Sequence, residues 1–308
     1  MLNFLLDITP DKSQLLITIK LAGILREKKQ EVYYTYTSNP AFTPVLYDKG
    51  ISNCVLYPDD FRWLKPDLTL LDCRHAAHAS LYRQLAIDYI FIAMQLPNQK
   101  NIQDKDISIL YLPPTPYLSS GSGPRLETLT KRLQDIKKDK ERNIIVGLLG
   151  KGNKNSKILE DFYRVIKRSS IRNPRYQFIL LTDIQNVYQS FELPGNMELF
   201  RTLNLNTILP LCDLALTDSH SDAWLDCTFA QIPVLKYSPK DMINITPMKL
   251  EQQIEYALQN KITLTQKAKE LCDFFERKNR EINKIADMLI ERAGRNRYNS
   301  CRLRPHTY

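Results

Sequence analysis

The sequence predicts an α/β protein made of two tandem Rossmann-like, doubly wound domains that face each other across a cleft. Short apolar runs alternate with helix-length amphipathic segments, as is typical of a parallel sheet covered by helices on both faces. The alternation breaks once, in a stretch rich in proline, serine and glycine over residues 112–124, and then restarts. A length of 308 residues is sufficient for two medium-sized domains, each with its own core.

The first predicted domain covers residues 1–124. It begins with a strand over 2–6, followed by a helix whose apolar side chains recur with helical spacing. A second helix is predicted over 75–85. Further strands are predicted over 31–36, 54–56, 68–71, 89–93 and 107–111.

The second predicted domain covers residues 125–308 and begins with a charged helix over 125–140. A long amphipathic helix over 264–293 could cross back to the first domain, and a basic tail follows it. The remaining strands are predicted over 144–149, 177–181, 197–200, 214–217 and 233–237, and the remaining helices over 156–169, 204–211, 222–230 and 247–259.

Composition restricts the class of protein. A hydrophobic content of 43% with 25% charged residues is ordinary for a globular protein, and no apolar run approaches the roughly 20 residues of a membrane span. The first residues lack a basic leader and a cleavage site, so we expect a cytoplasmic protein. The six cysteines show no CxxC pair and no zinc spacing, and reduced thiols are expected.

The net charge of +9 is concentrated in the interdomain segment and the tail. Residues 292–308 contain five arginines and no acidic residue. A solvated tail is the simplest interpretation, and peripheral binding to an anionic membrane surface is the next. Nucleic acid is not an expected partner, because no aromatic residues are interleaved in a recognition pattern.

Residues 213–238 contain the pattern of a ligand site. A buried strand, a polar turn, a helix-length segment and a second strand follow one another. In a parallel sheet the helix would begin at the carboxyl edge of the strand, where unpaired N–H groups and the helix dipole attract phosphate. Ser219, His220 and Ser221 can donate to phosphate oxygens, whereas Asp218 would repel a diphosphate unless it is paired. Helix capping by Ser221 or Asp222 is the alternative role.

This segment resembles the donor-binding motif of nucleotide-sugar glycosyltransferases with the two-domain B-type fold, the UDP-glycosyltransferase-like superfamily. There a strand leads into His-Gly-Gly, then a helix carrying Glu, then Gly-(Val/Ile)-Pro-Val. Residues 231–234, Gln-Ile-Pro-Val, align with the last element, which places Asp226 at the Glu and residues 218–220 at His-Gly-Gly. Asp241 falls near the family's Asp-Gln pair, which holds sugar hydroxyls. Residues 26–32 resemble the family's Arg-Gly-His-(Glu)-Val turn.

The resemblance also implies where an acid–base pair would lie. In the family, a Gly-His at the head of the first helix often supplies the base, and an Asp after a later strand orients it. Ser13-Gln14 align with Gly-His, and Gln14 cannot act as a base. The orienting Asp aligns with Asp72. The base would then have to come from another residue.

We hypothesise that Asp72 and His75 form a substitute acid–base pair, with Asp11 as a further nearby carboxylate. The alternative is that Asp72 and Asp11 cap helices and that the histidines at 75 and 78 are partly exposed. Metal binding by His75 and His78 is not expected, because no third ligand is evident, and no cofactor is expected.

A second phosphate-binding candidate follows the strand over 144–149. Gly150, Lys151 and Asn153 lie in a turn that resembles the family's Gly-Ser turn, where backbone approaches phosphate and Lys151 would add charge. The turn is not a P-loop, because it lacks the Gly-Lys-Ser/Thr ending. A connector with no ligand is the equal alternative.

The expected function is transfer of a sugar, with inversion, from a UDP-sugar to a small-molecule or lipid-linked acceptor. The family chemistry uses no bound metal. The alternative is a catalytically silent relative that activates or scaffolds a partner glycosyltransferase. A nucleotide-sugar hydrolase or epimerase is the third interpretation.

Overall fold

The computed structural model describes residues 1–8, 12–35, 46, 51–53, 64–94, 102–103, 108–114, 124–149, 156–182, 192–219 and 222–302. The chain divides into two compact units. Unit 1 comprises Met1–Thr115 together with Asp273–Tyr308, and unit 2 comprises Pro116–Cys272. The sequence predicted domains over 1–124 and 125–308. This division differs, because residues 273–308 belong to unit 1 rather than to the second domain.

Unit 1 contains a seven-stranded sheet in the order β3-β2-β1-β4-β5-β7-β6. The described pairings are parallel except for β6 with β7. Its strands are β1 (Asn3–Asp7), β2 (Glu31–Tyr34), β3 (Ser52–Asn53), β4 (Leu68–Asp72), β5 (Tyr89–Met94), β6 (Ile102–Gln103) and β7 (Ser108–Leu112). Helix α1 spans Lys12–Glu27, and a 3₁₀-helix over Cys73–His78 leads into α2, Ala79–Gln84.

The central strands of unit 1 are apolar because both faces of the sheet are covered. Phe4 and Leu6 of β1 belong to the core cluster that includes α1, whereas Leu5 belongs to the opposite cluster with Leu71 and Tyr82. Successive side chains of a strand point to opposite faces, so the sequence Phe-Leu-Leu fills both layers.

Unit 2 contains a five-stranded sheet in the order β10-β9-β8-β11-β12, with every pairing parallel. Its strands are β8 (Asn143–Leu148), β9 (Tyr176–Leu181), β10 (Met197–Phe200), β11 (Leu214–Asp218) and β12 (Val234–Tyr237). The helices are α3 (Pro124–Lys138), α4 (Ser156–Arg172), α5 (Leu205–Ile208), α6 (Ala223–Phe229), α7 (Pro239–Asn244) and α8 (Pro247–Gln259).

Helix α4 illustrates why these segments are helical. It buries Leu159, Phe162, Tyr163 and Ile166. These residues are three, one and three positions apart along the chain, so they lie on one face of the helix and form a single apolar stripe. That stripe packs in the same core cluster as β9 and α8. The prediction of two parallel α/β units is therefore confirmed.

The predicted long helix over 264–293 is two helices, α9 (Lys261–Arg280) and α10 (Ile282–Arg302), separated at Glu281. Helix α10 buries Ile282, Ala286, Leu289 and Ala293 in the core of unit 1. Arg292 adds a bidentate contact to Asp88, with N···O distances of 2.7 and 2.9 Å. Helix α10 is thus an integral part of the core of unit 1.

Two residues with a left-handed backbone occupy glycine positions of the motifs that the sequence resembles. Lys29 has φ 60° and lies at the glycine of the Arg-Gly-His-Val turn. Gln231 has φ 58° and lies at the glycine of Gly-(Val/Ile)-Pro-Val. Because glycine adopts this conformation without steric cost, the backbone explains why glycine suits these positions.

Candidate functional site

The two sheets share the same core strand order, 3-2-1-4-5, when the strands of each unit are numbered from its first. This order reverses direction between β1 and β4 in unit 1, and between β8 and β11 in unit 2. In open parallel sheets, ligands bind beyond the carboxyl ends of the strands at such a switch point. The residues that end these four strands are therefore the candidates for function.

At the switch point of unit 1, β1 ends with Asp7 and β4 ends with Asp72. The two strands are hydrogen-bonded neighbours, with Asp7 opposite Leu71. Both acids are buried, at 2% and 0% exposure. Two buried carboxylates at one sheet edge need hydrogen-bond donors or cations to offset desolvation.

Asp7 receives four contacts from side chains. His75 Nδ1 lies 3.0 Å from Oδ1 and His78 Nδ1 lies 2.7 Å from Oδ2. The Tyr82 hydroxyl donates to Oδ2 at 2.7 Å, and the Thr35 hydroxyl donates to Oδ1 at 3.3 Å. Burial, assisted by the charge of Asp7, raises the pKa of Tyr82, which keeps this hydroxyl protonated as a donor.

The contact with Asp7 determines how His75 can function. A carboxylate can only accept, so the neutral imidazole carries its proton on Nδ1 and leaves a lone pair on Nε2. In the described part of the chain, no hydrogen bond to His75 Nε2 is present. The His75 side chain is 26% exposed. This arrangement is that of a general base oriented by a buried acid.

The predicted pairing of Asp72 with His75 is wrong, because Asp7 holds this histidine. Asp72 instead caps the 3₁₀-helix, accepting from the Arg74 backbone N–H at 2.9 Å and from the Arg74 guanidinium at 3.1–3.3 Å. An acid that directly precedes a helix can accept hydrogen bonds from the free N–H groups of its first turn. Asp72 therefore caps the helix instead of contacting His75.

Gln14 contacts Asp72. Its amide nitrogen is 3.3 Å from Asp72 Oδ1, so the residue aligned with the family's histidine contacts the residue aligned with the orienting acid. The chain therefore pairs an amide, which cannot act as a base, with this buried acid. It also carries a second pair with the roles exchanged, in which the acid ends β1 and the histidine follows β4.

The sequence contained one signal for Asp7 that the prediction missed. Asp7 directly follows the strand predicted over 2–6, and it is the last residue of β1. An acid at the carboxyl end of a central strand lies at the ligand edge of the sheet, as Asp72 does at the end of β4.

At the switch point of unit 2, β11 ends with the buried Asp218, and the exposed Ser219 follows it. The Ser219 N–H donates to the Tyr237 carbonyl at 2.8 Å. Helix α6 begins at Ala223, and the side chain of its N-cap residue, Asp222, makes no capping hydrogen bond. Six predicted site residues lie outside the described part of the chain: Asp11, Gly150, Lys151, Asn153, His220 and Ser221.

The two remaining predicted residues, Asp226 and Asp241, lie in helices of unit 2. Asp226 is a 9% exposed residue within α6. Asp241 forms a capping box at the start of α7, accepting from Ser238 N–H at 2.8 Å and from its hydroxyl at 2.6 Å. These hydrogen bonds lower the pKa of the Asp241 carboxyl. Asp241 also lines an open groove with Lys236 and Lys249.

Solved structures show a common fold. The chain is similar to the spinosyn rhamnosyltransferase SpnG complexed with spinosyn aglycone, with a TM-score of 0.67 and 12% identity over 92% of this chain and 99% of that one. It is also similar to the glycosyltransferase VinC in complex with dTDP, with a TM-score of 0.63 and 11% identity over 96% of this chain and 100% of that one. The glycosyltransferase SnogD from Streptomyces nogalater gives a TM-score of 0.62 and 14% identity over 95% and 99%.

This chain has a glycosyltransferase fold. The resemblance in sequence to the B-type group is therefore confirmed at the level of architecture. At identities of 11–14%, the similarity shows the fold but does not show the reaction. No protein-family profile matches the chain, and no curated protein matches it in sequence. Among the described residues, no helix is both long and apolar enough to span a bilayer.

Proposed function

We propose that this protein is a glycosyltransferase that moves a sugar from a nucleoside diphosphate to an acceptor hydroxyl, with inversion. The observation that carries the proposal is the 3.0 Å contact between Asp7 and His75 at the switch point of a glycosyltransferase fold. A silent relative would not need a buried acid that orients an imidazole. For that reason the catalytic interpretation is preferred to the scaffold.

The chemistry assigned to His75 is proton removal. As the acceptor oxygen attacks the anomeric carbon, its proton passes to Nε2, and the bond between that carbon and the diphosphate oxygen breaks. Asp7 stabilises the imidazolium that forms and keeps the ring in the required tautomer. Attack from the face opposite the leaving group gives inversion.

The donor is assigned to unit 2 and the acceptor to unit 1. Support for the donor comes from Ser219, which is exposed directly after β11, and from the sequence motif around it. Gly150, Lys151, Asn153, His220 and Ser221 remain sequence-based candidates for binding the diphosphate. Asp241 remains a candidate for holding sugar hydroxyls, and Asp226, at the position of the motif's Glu, for binding the donor. UDP is the nucleotide expected from sequence. SpnG has also been solved with thymidine diphosphate and VinC with dTDP, so thymidine nucleotides are the second candidate.

The acceptor is proposed to be a small molecule or a lipid-linked hydroxyl. Arg292 is paired with Asp88, and the other four arginines of residues 292–308 would provide charge for an anionic membrane or for a partner glycosyltransferase. Both associations are proposals that rest on charge.

The test is a panel of UDP- and TDP-sugars, with calorimetry for binding and release of the nucleoside diphosphate for turnover. His75→Ala is expected to lower kcat by about 10² to 10⁴-fold, because it removes the base, while nucleotide affinity stays within a factor of two or so. His306→Ala removes a histidine from the tail and is the matched control. Unchanged turnover in His75→Ala would reject the base, and absence of nucleotide binding would reject the glycosyltransferase.

A further inference from the structure

Asp7, His75 and His78 form a compact group of potential metal ligands, which we call the Asp7 cluster. One ligand atom from each residue lies within 4.8 Å of the other two. From the sequence alone, metal binding by the two histidines was not expected, because no third ligand was evident. The third ligand that was missing from that prediction is the carboxylate of Asp7.

The two histidines lie three residues apart in the segment Cys73–His78, whose backbone departs from helical geometry at His75 (φ −97°, ψ 25°). The ring centroids are 4.8 Å apart, and each Nδ1 faces one oxygen of the same carboxylate. Asp72 caps the start of this segment, where its carboxylate accepts from the Arg74 N–H.

The carboxylate is fixed before any ion arrives. Asp7 is almost fully buried, and it accepts hydrogen bonds from Tyr82 and Thr35 in addition to the histidine contacts. Outer partners of this kind orient a ligating carboxylate and strengthen metal binding. The His78 side chain is 50% exposed, which gives an ion access from solvent.

Two imidazole nitrogens and one carboxylate form a ligand set of intermediate hardness. They favour zinc and neighbouring transition metals, whereas magnesium and calcium prefer sites made of oxygen. Three protein ligands also leave a coordination position open for water. We infer that the Asp7 cluster binds one divalent transition-metal ion of the zinc class.

Metal binding and base catalysis exclude each other at His75. A metal on Nδ1 takes the lone pair there, so the neutral ring carries its proton on Nε2. That nitrogen can then no longer accept a proton from an acceptor hydroxyl. Zinc is therefore expected to inhibit transfer reversibly. This consequence rests on the proposed function, whereas binding itself does not.

Binding is tested on the full-length protein, without a polyhistidine tag and after removal of metal by chelation. Titration with Zn²⁺ by calorimetry, and with Co²⁺ by visible absorption, is expected to give one ion per chain. His78→Ala and Asp7→Asn should each weaken Zn²⁺ binding by at least about tenfold. Mg²⁺ at the same concentrations should give no signal.

Asp72→Asn is the matched control, because it neutralises a second buried acid at the same sheet edge and keeps an oxygen that can cap the helix. It should bind Zn²⁺ like the wild type. His78 is half exposed, so His78→Ala should fold even if Asp7→Asn does not. Wild-type zinc affinity in His78→Ala, or failure of the wild type to bind Zn²⁺, overturns the site.

The effect of Zn²⁺ on turnover is measured in a separate experiment. Once a donor is known, Zn²⁺ should abolish turnover and chelation should restore it. If zinc binds to the cluster but no nucleotide sugar is turned over, the proposed function fails and the metal site stands. If turnover is present but zinc does not bind, the metal site fails alone.

Discussion

The two units have the same core strand order but differ in what they present at the switch point. Unit 1 presents two buried acids, with His75 and His78 above one of them. Among the described residues at the corresponding edge of unit 2 are a buried acid, Asp218, and the exposed hydroxyl of Ser219. Topology brings strand ends together in both units, and the residue that ends each strand decides the chemistry.

The largest expected effect is on kcat, and it distinguishes the roles of Asp7 and Asp72 in unit 1. Asp7→Asn should lower kcat by about 10³-fold or more with little change in KM, because an amide neither stabilises the imidazolium nor enforces the tautomer. Asp72→Asn should lower kcat by less than about tenfold, because asparagine still caps the 3₁₀-helix. Steady-state kinetics check both, and circular dichroism controls for folding. Equal losses would mean that the two acids share one role.

The next effect tests the division into units. Leu289→Ala in α10 should destabilise unit 1 by about 2–5 kcal/mol, because it leaves a cavity in a fully buried position of the first core. Hydrogen exchange should then accelerate in β1 and β4 and not in β8 and β11. The matched variant Leu250→Ala, in the core of unit 2, should give the reverse pattern. Faster exchange confined to unit 2 in Leu289→Ala would contradict the assignment of α10.

Unit 2 contains an ion-pair network around the buried Asp213, which directly precedes β11 and so lies at the amino-terminal edge of the sheet, away from the switch-point edge. Asp213 accepts from the Ile144 N–H at 2.9 Å and pairs with Lys137 and Lys261. Burial raises the pKa of Asp213, but the hydrogen bond from Ile144 and the two lysines outweigh burial and lower it overall.

Because the folded-state pKa is lowered, the stabilisation is present above the unfolded value of about 3.9 and is lost as pH falls through the folded value. Asp213→Asn should cost about 1–3 kcal/mol at pH 7, where the half-exposed lysines limit the loss, and less near pH 3. Urea denaturation at the two pH values measures this. A pH-independent difference would mean that the hydrogen bond alone matters.

The smallest effect concerns the backbone of unit 2. Gln231 is exposed and has φ 58°, so Gln231→Gly should stabilise the protein by about 0.5–1 kcal/mol. Gln231→Ala, which keeps the steric cost of the left-handed conformation, should give no such gain. Chemical denaturation of the pair measures the difference. A gain in the alanine variant would place the effect in the side chain rather than in the backbone.

Much of the architecture could be predicted from local patterns. Apolar runs such as Leu68 to Leu71 predicted buried strands, and the spacing in α4 predicted a helix. The break at Glu281 was missed because the amphipathic pattern continues across it. His75 was identified as a candidate base, but its acid was assigned to the nearest carboxylate in sequence.

By itself, the sequence determined the alternating elements, the linker between two α/β units and the edge where polar residues collect, because these depend on periodicities within about 20 residues. Only the tertiary structure decided which acid holds the histidines and which unit receives the last helix. Asp7 is 68 and 71 residues from its two histidines, and that contact exists only once β1 and β4 pair. Since Asp72 ends the neighbouring strand of the same edge, local sequence could not distinguish the two acids.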